Sequence, residues 1–150
     1  MPVTVKNISL WRKEVENQVG ALARTLEPVA KAGANLQILM GYRYPGEGAK
    51  AAIELYPIAG KKGTAAASEA GLSASSIPTL LVEGDDKPGL GLGIAQAIAG
   101  AGINMAFFVA QAVGRRFSAV LGFDSEADAK IAAPLIKNAA KKRNKKTTWR

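Results

Sequence analysis

The sequence contains no cysteine and no histidine, and aromatic residues make up only 6% of its 150 residues. The absence of cysteine excludes disulfide bonds and thiol nucleophiles, and it suits a reducing cytoplasm. The absence of both residue types excludes Cys/His zinc sites, Ser-His-Asp triads and histidine proton shuttles. Catalysis by Asp, Glu, Lys or Tyr remains open, whereas most of the common enzyme chemistries do not. We expect a non-catalytic protein in the cytoplasm, with no metal site and no cofactor.

The N-terminus lacks the charged start and apolar stretch of a secretory signal. The net charge of +8 is concentrated at the other end, where seven basic residues and no acidic residue lie between Lys137 and Arg150. We expect residues 139–150 to form a solvated basic tail. The alternative is a tail that contacts nucleic acid or acidic lipid, with Trp149 stacking on a base.

A long segment without charged residues extends from Pro88 to Gly114. Its length alone satisfies the criterion for a membrane-spanning helix. Glycines and polar amides interrupt it, however, and the matching segment of the first half carries Arg24, Glu27 and Lys31. We therefore expect no membrane span.

The chain repeats itself at an interval of sixty-nine residues. The matched pairs include Gly20 with Gly89, Gly33 with Gly102, and Asn35 with Asn104. This interval is too long for a solenoid unit and fits one small supersecondary module, so we expect two copies of one module.

Both halves show the order strand, helix, strand, strand, helix. The first helix of each copy ends at a glycine, and a hairpin follows it. In the second hairpin Ile103, Met105, Phe107 and Val109 alternate, which predicts a shared face. Residues 3–12 indicate a strand with a bulge near Asn7.

This order predicts an α+β fold of two ferredoxin-like (βαββαβ) modules in tandem, with antiparallel sheets and the helices on one face. We place the modules at residues 1–72 and 73–138, before the tail. Each copy is short of one strand, so either residues 72–83 bend to serve both sheets or each copy uses a neighbour to complete its edge. Because exposed edges favour pairing, we expect a homodimer.

Two segments of the second half resemble the signature of the ACT domain family, Asp85-Asp86-Lys87-Pro88-Gly89-Leu90 and Ala101-Gly102-Ile103-Asn104-Met105. The first half has a looser version, Asn17-Gln18-Val19-Gly20-Ala21-Leu22 and Ala32-Gly33-Ala34-Asn35-Leu36. The resemblance covers nearly the whole chain to about residue 138. It implies a stand-alone tandem ACT-domain regulatory protein that binds an amino acid or a similar metabolite at a domain or dimer interface, and that controls an enzyme in another chain.

A helix that starts at a glycine offers free amide groups and the positive end of its dipole to a carboxylate. We expect the ligand at the loop from Asp85 to Gly91, with Asp86 meeting an ammonium group. The residues that we expect to bind are Asp85, Asp86, Lys87, Gly89, Leu90, Gly91 and Asn104 in the second copy, and Asn17, Gln18, Gly20, Ala21 and Asn35 in the first.

Each of these residues also has a structural interpretation. The glycines serve equally well in tight turns and close packing, Asp86 serves as a helix cap, and the two asparagines serve the backbone after a helix end. Glu83, Asp85 and Asp86 form the densest acidic cluster, for which a solvated loop is favoured over a cation site.

Two further functions have weaker support in the sequence. The spacing of Gly89, Gly91 and Gly93 does not fit G-x-G-x-x-G, so a dinucleotide site is not expected. The alternative function is RNA binding by a ferredoxin-like sheet together with the basic tail, which requires exposed aromatic residues on the sheet and is disfavoured because no RNP-type sequence is present.

Overall fold

The computed structural model describes residues 3–142. In chain order the elements are β1 (Thr4–Ile8), β2 (Trp11–Glu16), α1 (Ala21–Lys31), β3 (Ile38–Tyr44), β4 (Glu47–Tyr56), α2 (Gly60–Glu69), β5 (Ser73–Ala74), β6 (Thr79–Asp85), α3 (Leu90–Gly100), β7 (Met105–Val113), β8 (Arg116–Phe123) and α4 (Glu126–Lys142). They form two compact units: the first module is residues 9–76, and the second module joins residues 3–8 to residues 77–142.

Each module is a four-stranded antiparallel sheet with two helices. The strand order is β3-β4-β2-β5 in the first module and β7-β8-β6-β1 in the second. The two orders are equivalent when β1 takes the place of a last strand in the second module. The predicted tandem ferredoxin-like α+β fold is therefore confirmed.

The first strand divides between the two sheets. Residues 3–12 were expected to form one strand, but β1 pairs with β6 whereas β2 pairs with β4. The interrupted alternation near Asn7 thus marks the approach to a change of sheet and not a bulge. As a consequence the modules are not the continuous segments 1–72 and 73–138, because residues 3–8 complete the second sheet.

Residues 72–83 also serve both sheets, as one of the two alternatives predicted. Ser73 and Ala74 pair with β2 in the first module, and the strand that starts at Thr79 is central in the second. Because β5 has only two residues, the edge of β2 from Lys13 to Glu16 has no strand beside it within the described part of the first module.

Helices cover one face of each sheet. The first core is built from Val29, Ile53, Leu55, Ala67 and Leu72. The second is larger, and it includes Leu90, Ile94 and Ile98 of α3 with Phe117, Leu121 and Phe123 of the second module. Burial of these side chains supplies the main stabilising free energy of each module.

The last helix is longer than the sequence indicated. It continues to Lys142, and Ala140 is buried in the second core, so the expected tail boundary at residue 139 lies inside the helix. Residues 143–150 lie outside the described part of the chain.

The segment without charged residues folds as α3 followed by β7. Within residues 3–142 no helix has both the length and the apolar character needed to cross a bilayer.

Candidate functional site

The corner between β2 and α1 presents free backbone amides. Gly20 precedes the helix with φ of 84°, a left-handed conformation that glycine adopts without strain, and no side chain caps the helix. The amide of Ala21 donates to Gln18 O at 3.2 Å, and that of Arg24 donates to Gly20 O at 3.0 Å. Among the described residues, no acceptor faces the amides of the intervening Leu22 and Ala23.

Asn17 fastens this corner to the hairpin of the same module. Its backbone amide donates to Ala49 O at 2.9 Å, and its side-chain Nδ2 donates to Gly48 O at 2.8 Å. Since its amide group is already bonded, Asn17 holds the loop in place and leaves Gln18 and Gly20 to line the corner.

Two open cavities flank the first turn of α1. Their volumes are about 490 and 390 Å³. Val15, Glu16, Gln18 and Ala21 line both. The larger cavity lies toward the free edge of β2, whereas the smaller one lies over β3 and β4, where Gly41 and other small residues leave the space unfilled.

Charged side chains surround the larger cavity, and their hydrogen bonds decide which of them can act on a ligand. Lys13 Nζ donates to Ala70 O at 2.8 Å, which holds its ammonium group at the C-terminal end of α2. Lys50 Nζ lies 3.7 Å from Glu14 Oε1 and 3.6 Å from Glu16 Oε1. Arg24 Nη1 donates to Val19 O at 3.2 Å, which keeps its guanidinium beside the first turn.

Groups of opposite charge therefore line the larger cavity. The free amides, the helix dipole and Arg24 favour an anionic group. The carboxylate of Glu16, which is shared with exposed Lys50, can accept from an ammonium group. A small zwitterion matches both halves of the arrangement.

The second module repeats the backbone geometry of the corner. Gly89 has φ of 79°, the Leu90 amide donates to Lys87 O at 3.2 Å, and the Gly93 amide donates to Gly89 O at 2.9 Å. The side chain of Asp85, however, forms an ion pair with Arg116 at 2.9 Å. Neither of the two cavities is lined by residues of the loop from Asp85 to Gly91.

The two asparagines that follow the helices stand apart from these corners. Asn35 and Asn104 are exposed and lie beyond the C-terminal ends of α1 and α3, whose other ends begin after Gly20 and Gly89. A helix of this length spans about 16 Å. Within one module the structure thus brings Asn17, Gln18, Gly20 and Ala21 together, and likewise Asp85 to Gly91, but it does not bring the asparagines to them.

A polar cluster that the sequence analysis missed lies on the sheet face away from the first module's helices. Tyr42 OH donates to Glu54 Oε2 at 2.7 Å, and Tyr44 OH donates to Glu14 Oε2 at 2.9 Å and accepts from Arg12 Nη2. Glu54 is only 1% exposed. Burial, reinforced by the hydrogen bond to Glu54, raises the pKa of Tyr42 to about 12.

The signal for this cluster was present in the alternation of β4, where Ala52 and Glu54 alternate with the core residues Ile53 and Leu55. Two of the cluster's buried atoms, Glu54 Oε1 and Arg12 Nε, have no hydrogen-bond partner among the described residues. The acidic residues do not assemble into a cation site, since no group of three or more potential ligands occurs within residues 3–142.

No family model matches the sequence, and no curated protein is significantly similar to it. Solved structures do match. The chain is similar to protein BT0572 from Bacteroides thetaiotaomicron with a TM-score of 0.73 and 13% identity, over 91% of this chain and 90% of that one. It is also similar to the ligand-free regulatory subunit of aspartate kinase from Thermus thermophilus, with a TM-score of 0.61 and 17% identity, over 93% and 97% of the chains.

The chain has the tandem ACT-domain fold. In the aspartate kinase of Clostridium acetobutylicum the same fold covers 34% of the matched chain, with a TM-score of 0.61 and 14% identity. The family resemblance noted at the two loops is thereby confirmed at the level of fold. Each of the two modules described above has the fold of one ACT domain.

Proposed function

We propose that this protein is a non-catalytic regulatory protein that binds an amino acid or a similar small zwitterion at the β2–α1 corner of its first ACT module. The observation that carries the proposal is the pair of cavities beside a helix start whose amides at Leu22 and Ala23 have no acceptor among the described residues. Cavities of about 300–1,000 Å³ are the usual size for small-molecule sites.

The ligand class follows from the groups at the corner. A carboxylate accepts from the free amides and lies near Arg24, and an ammonium group replaces Lys50 at Glu16 Oε1. The smaller cavity, whose wall includes Leu22, Ala51 and Ile53, receives the ligand's side chain. This part of the wall is apolar and favours an amino acid with an aliphatic or other uncharged side chain.

The regulatory part of the proposal is supported by the structural neighbours. Several are described as regulatory subunits or domains of aspartate kinase. We propose that this chain acts in the same manner on an enzyme in another chain, in the cytoplasm. A ligand that binds one conformation better than another shifts the population toward it, which is sufficient for signalling.

The direct test is thermal unfolding of the full chain with each of the twenty amino acids. A ligand at one hundred times its dissociation constant stabilises the folded state by about 2.7 kcal/mol. We expect one or a few amino acids to raise the melting temperature, and a panel with no shift contradicts the proposal.

Matched charge variants locate the site. Arg24→Gln removes the cation at the corner, whereas Lys31→Gln removes a cation at the other end of α1, where it forms an exposed pair with Glu27 at 2.9 Å. We expect Arg24→Gln to weaken binding about tenfold or more, since charge-assisted hydrogen bonds are worth roughly 1.5–3 kcal/mol, and Lys31→Gln to leave it unchanged.

A second pair of variants tests the ammonium contact. Glu16→Gln should weaken the binding of the amino acid more than that of its deaminated analogue, and Glu27→Gln is the control.

The second ACT module is tested by Asp86→Ala, because Asp86, Lys87, Gly89, Leu90 and Gly91 keep the same backbone corner. If Asp86→Ala abolishes binding while Arg24→Gln does not, the ligand occupies the second module.

A further inference from the structure

Lys50 lies between two carboxylates at the larger cavity of the first ACT module. Its Nζ is 3.6 Å from Glu16 Oε1 and 3.7 Å from Glu14 Oε1. Both distances exceed the length of a charge-assisted hydrogen bond, about 2.7–2.9 Å, so the ammonium group is attracted to both carboxylates without a close bond to either. The three side chains are between 44% and 61% exposed, so packing does not fix them in this arrangement.

The strand register explains this intermediate position. In the antiparallel pair of β2 and β4, Glu16 lies directly opposite Lys50, and Glu14 lies opposite Ala52 on the same face. Directly opposite residues have Cβ atoms about 4.5–5.5 Å apart and diagonal neighbours are about 7–8 Å apart, and a lysine side chain reaches both. Lys50 can therefore complete a hydrogen bond with either carboxylate by changing its own rotamer.

We propose that Lys50 is a tethered competitor for the ligand's ammonium group, and that a bound ligand moves Lys50 wholly onto Glu14. The inference rests on the proposed function, in which the ammonium group binds Glu16 Oε1. In the free protein Lys50 partly neutralises that carboxylate and so opposes binding. Displacement does not leave Lys50 without a partner, because the Glu14 carboxylate is already within its reach.

Glu14 connects this movement to the polar cluster on the sheet face away from the helices. Its Oε1 faces Lys50, and its Oε2 accepts a hydrogen bond from Tyr44 OH at 2.9 Å. Tyr44 OH in turn accepts from Arg12 Nη2. To form a charge-assisted hydrogen bond, Lys50 and Glu14 must approach one another by about 1 Å, and a closer cation makes the carboxylate a weaker acceptor. The contact between Glu14 and Tyr44 therefore responds when Lys50 leaves Glu16.

Arg12 has a second partner available within the cluster. It lies directly opposite Glu54 in the pair of β2 and β4, yet Arg12 Nε and Glu54 Oε1 are buried and have no hydrogen-bond partner among the described residues. A buried polar atom without a partner is unfavourable. A weaker contact at Tyr44 therefore favours a direct pair of Arg12 with Glu54, so the effect of the ligand reaches a residue that is only 1% exposed.

Carbon-13 NMR of the full chain tests the movement of Lys50 without a ligand. The chain has three tyrosines, and a label at Cζ of each reports on its hydroxyl group. Replacing each tyrosine in turn by phenylalanine assigns the three signals. Glu16→Gln removes the carboxylate that competes for Lys50 and so imitates a bound ligand. We expect Glu16→Gln to shift the Tyr44 signal, and we expect Glu27→Gln, which breaks an exposed ion pair elsewhere in the first module, to leave it unchanged.

The variant Lys50→Gln separates movement of the lysine from a direct effect of the lost charge. In the Lys50→Gln background, Glu16→Gln should no longer shift the Tyr44 signal, because the ammonium group that carries the effect is absent. A Tyr44 signal that does not respond to Glu16→Gln overturns the proposal, and so does a shift of the same size in both backgrounds. Neither measurement requires an amino acid to bind.

Thermal unfolding with each of the twenty amino acids tests the competition. We expect Lys50→Gln to lower the dissociation constant of an amino acid that binds by about twofold to fivefold, the range that loss of an exposed ion pair provides. Lys31→Gln is the matched control and should leave binding unchanged. Binding that Lys50→Gln weakens or does not change contradicts the competition alone. A panel in which no amino acid binds either the original chain or Lys50→Gln contradicts the proposed function as well.

Discussion

The strand exchange between the modules predicts a specific steric coupling at Gly84. A Cβ atom built on Gly84 of β6 would lie 2.7 Å from Val3 Cγ1 and 3.1 Å from Val3 Cα. The second distance involves the backbone of the chain that leads into β1, so the clash cannot be relieved by side-chain rotation alone. Val3 is 5% exposed and belongs to the second core.

Gly84→Ala should therefore destabilise the protein by about 1–3 kcal/mol, the usual cost of forcing extra volume into a packed site. Complete loss of Val3 burial would cost a similar amount, about 1.5–3 kcal/mol, which bounds the effect if β1 detaches instead of shifting. For a chain of this size each kcal/mol lowers the melting temperature by about 2–4 °C. Urea and thermal unfolding of the full chain measure both quantities.

The control is Gly91→Ala in helix α3, where nothing lies within 4 Å of the added Cβ. Alanine is the better helix former by about 1 kcal/mol, so this variant should be as stable as the original or more so. Val3→Ala removes the nearer clash, and Gly84→Ala should cost less in that background, with a coupling of at least 0.5 kcal/mol. If Gly84→Ala is harmless, or if the two substitutions are additive, β1 does not pack on β6 as described.

Two further stability predictions follow from close contacts. A Cβ on Gly122 would lie 2.3 Å from Phe107 Cε2, so Gly122→Ala should cost about 1–3 kcal/mol in urea unfolding, and Phe107→Ala should remove most of that cost. Tyr42→Phe removes the only donor to Glu54 within the described residues and should cost about 1–3 kcal/mol at neutral pH. The folded-state pKa of Tyr42 is raised from 10.0 to about 12, so this stabilisation is complete below pH 10 and is lost as the pH rises toward 12. Two pKa units represent roughly 2.7 kcal/mol, but the loss of stability should be well under this value because Tyr42 is 41% exposed. The difference in unfolding free energy between the original protein and Tyr42→Phe should therefore narrow between pH 10 and pH 12.

The repeat predicted the fold because its matched glycines have local conformational roles. Gly20 and Gly89 both adopt a positive φ before a helix, and Gly33 and Gly102 both do so after one. Only glycine adopts a positive φ without strain, so these positions can be identified from the sequence without knowledge of tertiary contacts. The helix and hairpin order followed directly from them.

Sheet membership could not be predicted in the same way, because pairing partners are remote in sequence. Alternation predicted that Met105 and Phe107 share a face. The bulge between them reverses the pattern, so Phe108 packs against the core and Phe107 lies over Gly122 on the opposite face. A one-residue irregularity turns every later side chain of a strand to the other face, and local patterns do not show it.

The location of the cavities depended on the same kind of remote information. The loop motif is closer to the family pattern in the second copy, but the two cavities flank the first copy's helix. They form there because the small residues Gly41 and Ala51 leave space above the sheet and because β5 is too short to cover the edge of β2. Both causes arise from strands that sequence distance separates from the loop.

The differences between the two copies follow a consistent physical pattern. At the four positions where the first copy has Arg24, Glu27, Lys31 and Arg43, the second has Gly93, Gln96, Gly100 and Ala112. Charges beside a free helix start are useful for a ligand that carries opposite charges of its own, and the same charges on a two-fold axis would prevent self-association. A duplicated module relieves this conflict, because one copy can keep its charges for binding while the other loses them. Val109→Lys in the second copy should therefore leave amino-acid binding by the first copy intact, as measured by thermal unfolding with the ligand, and a chain that loses binding would refute this separation of roles.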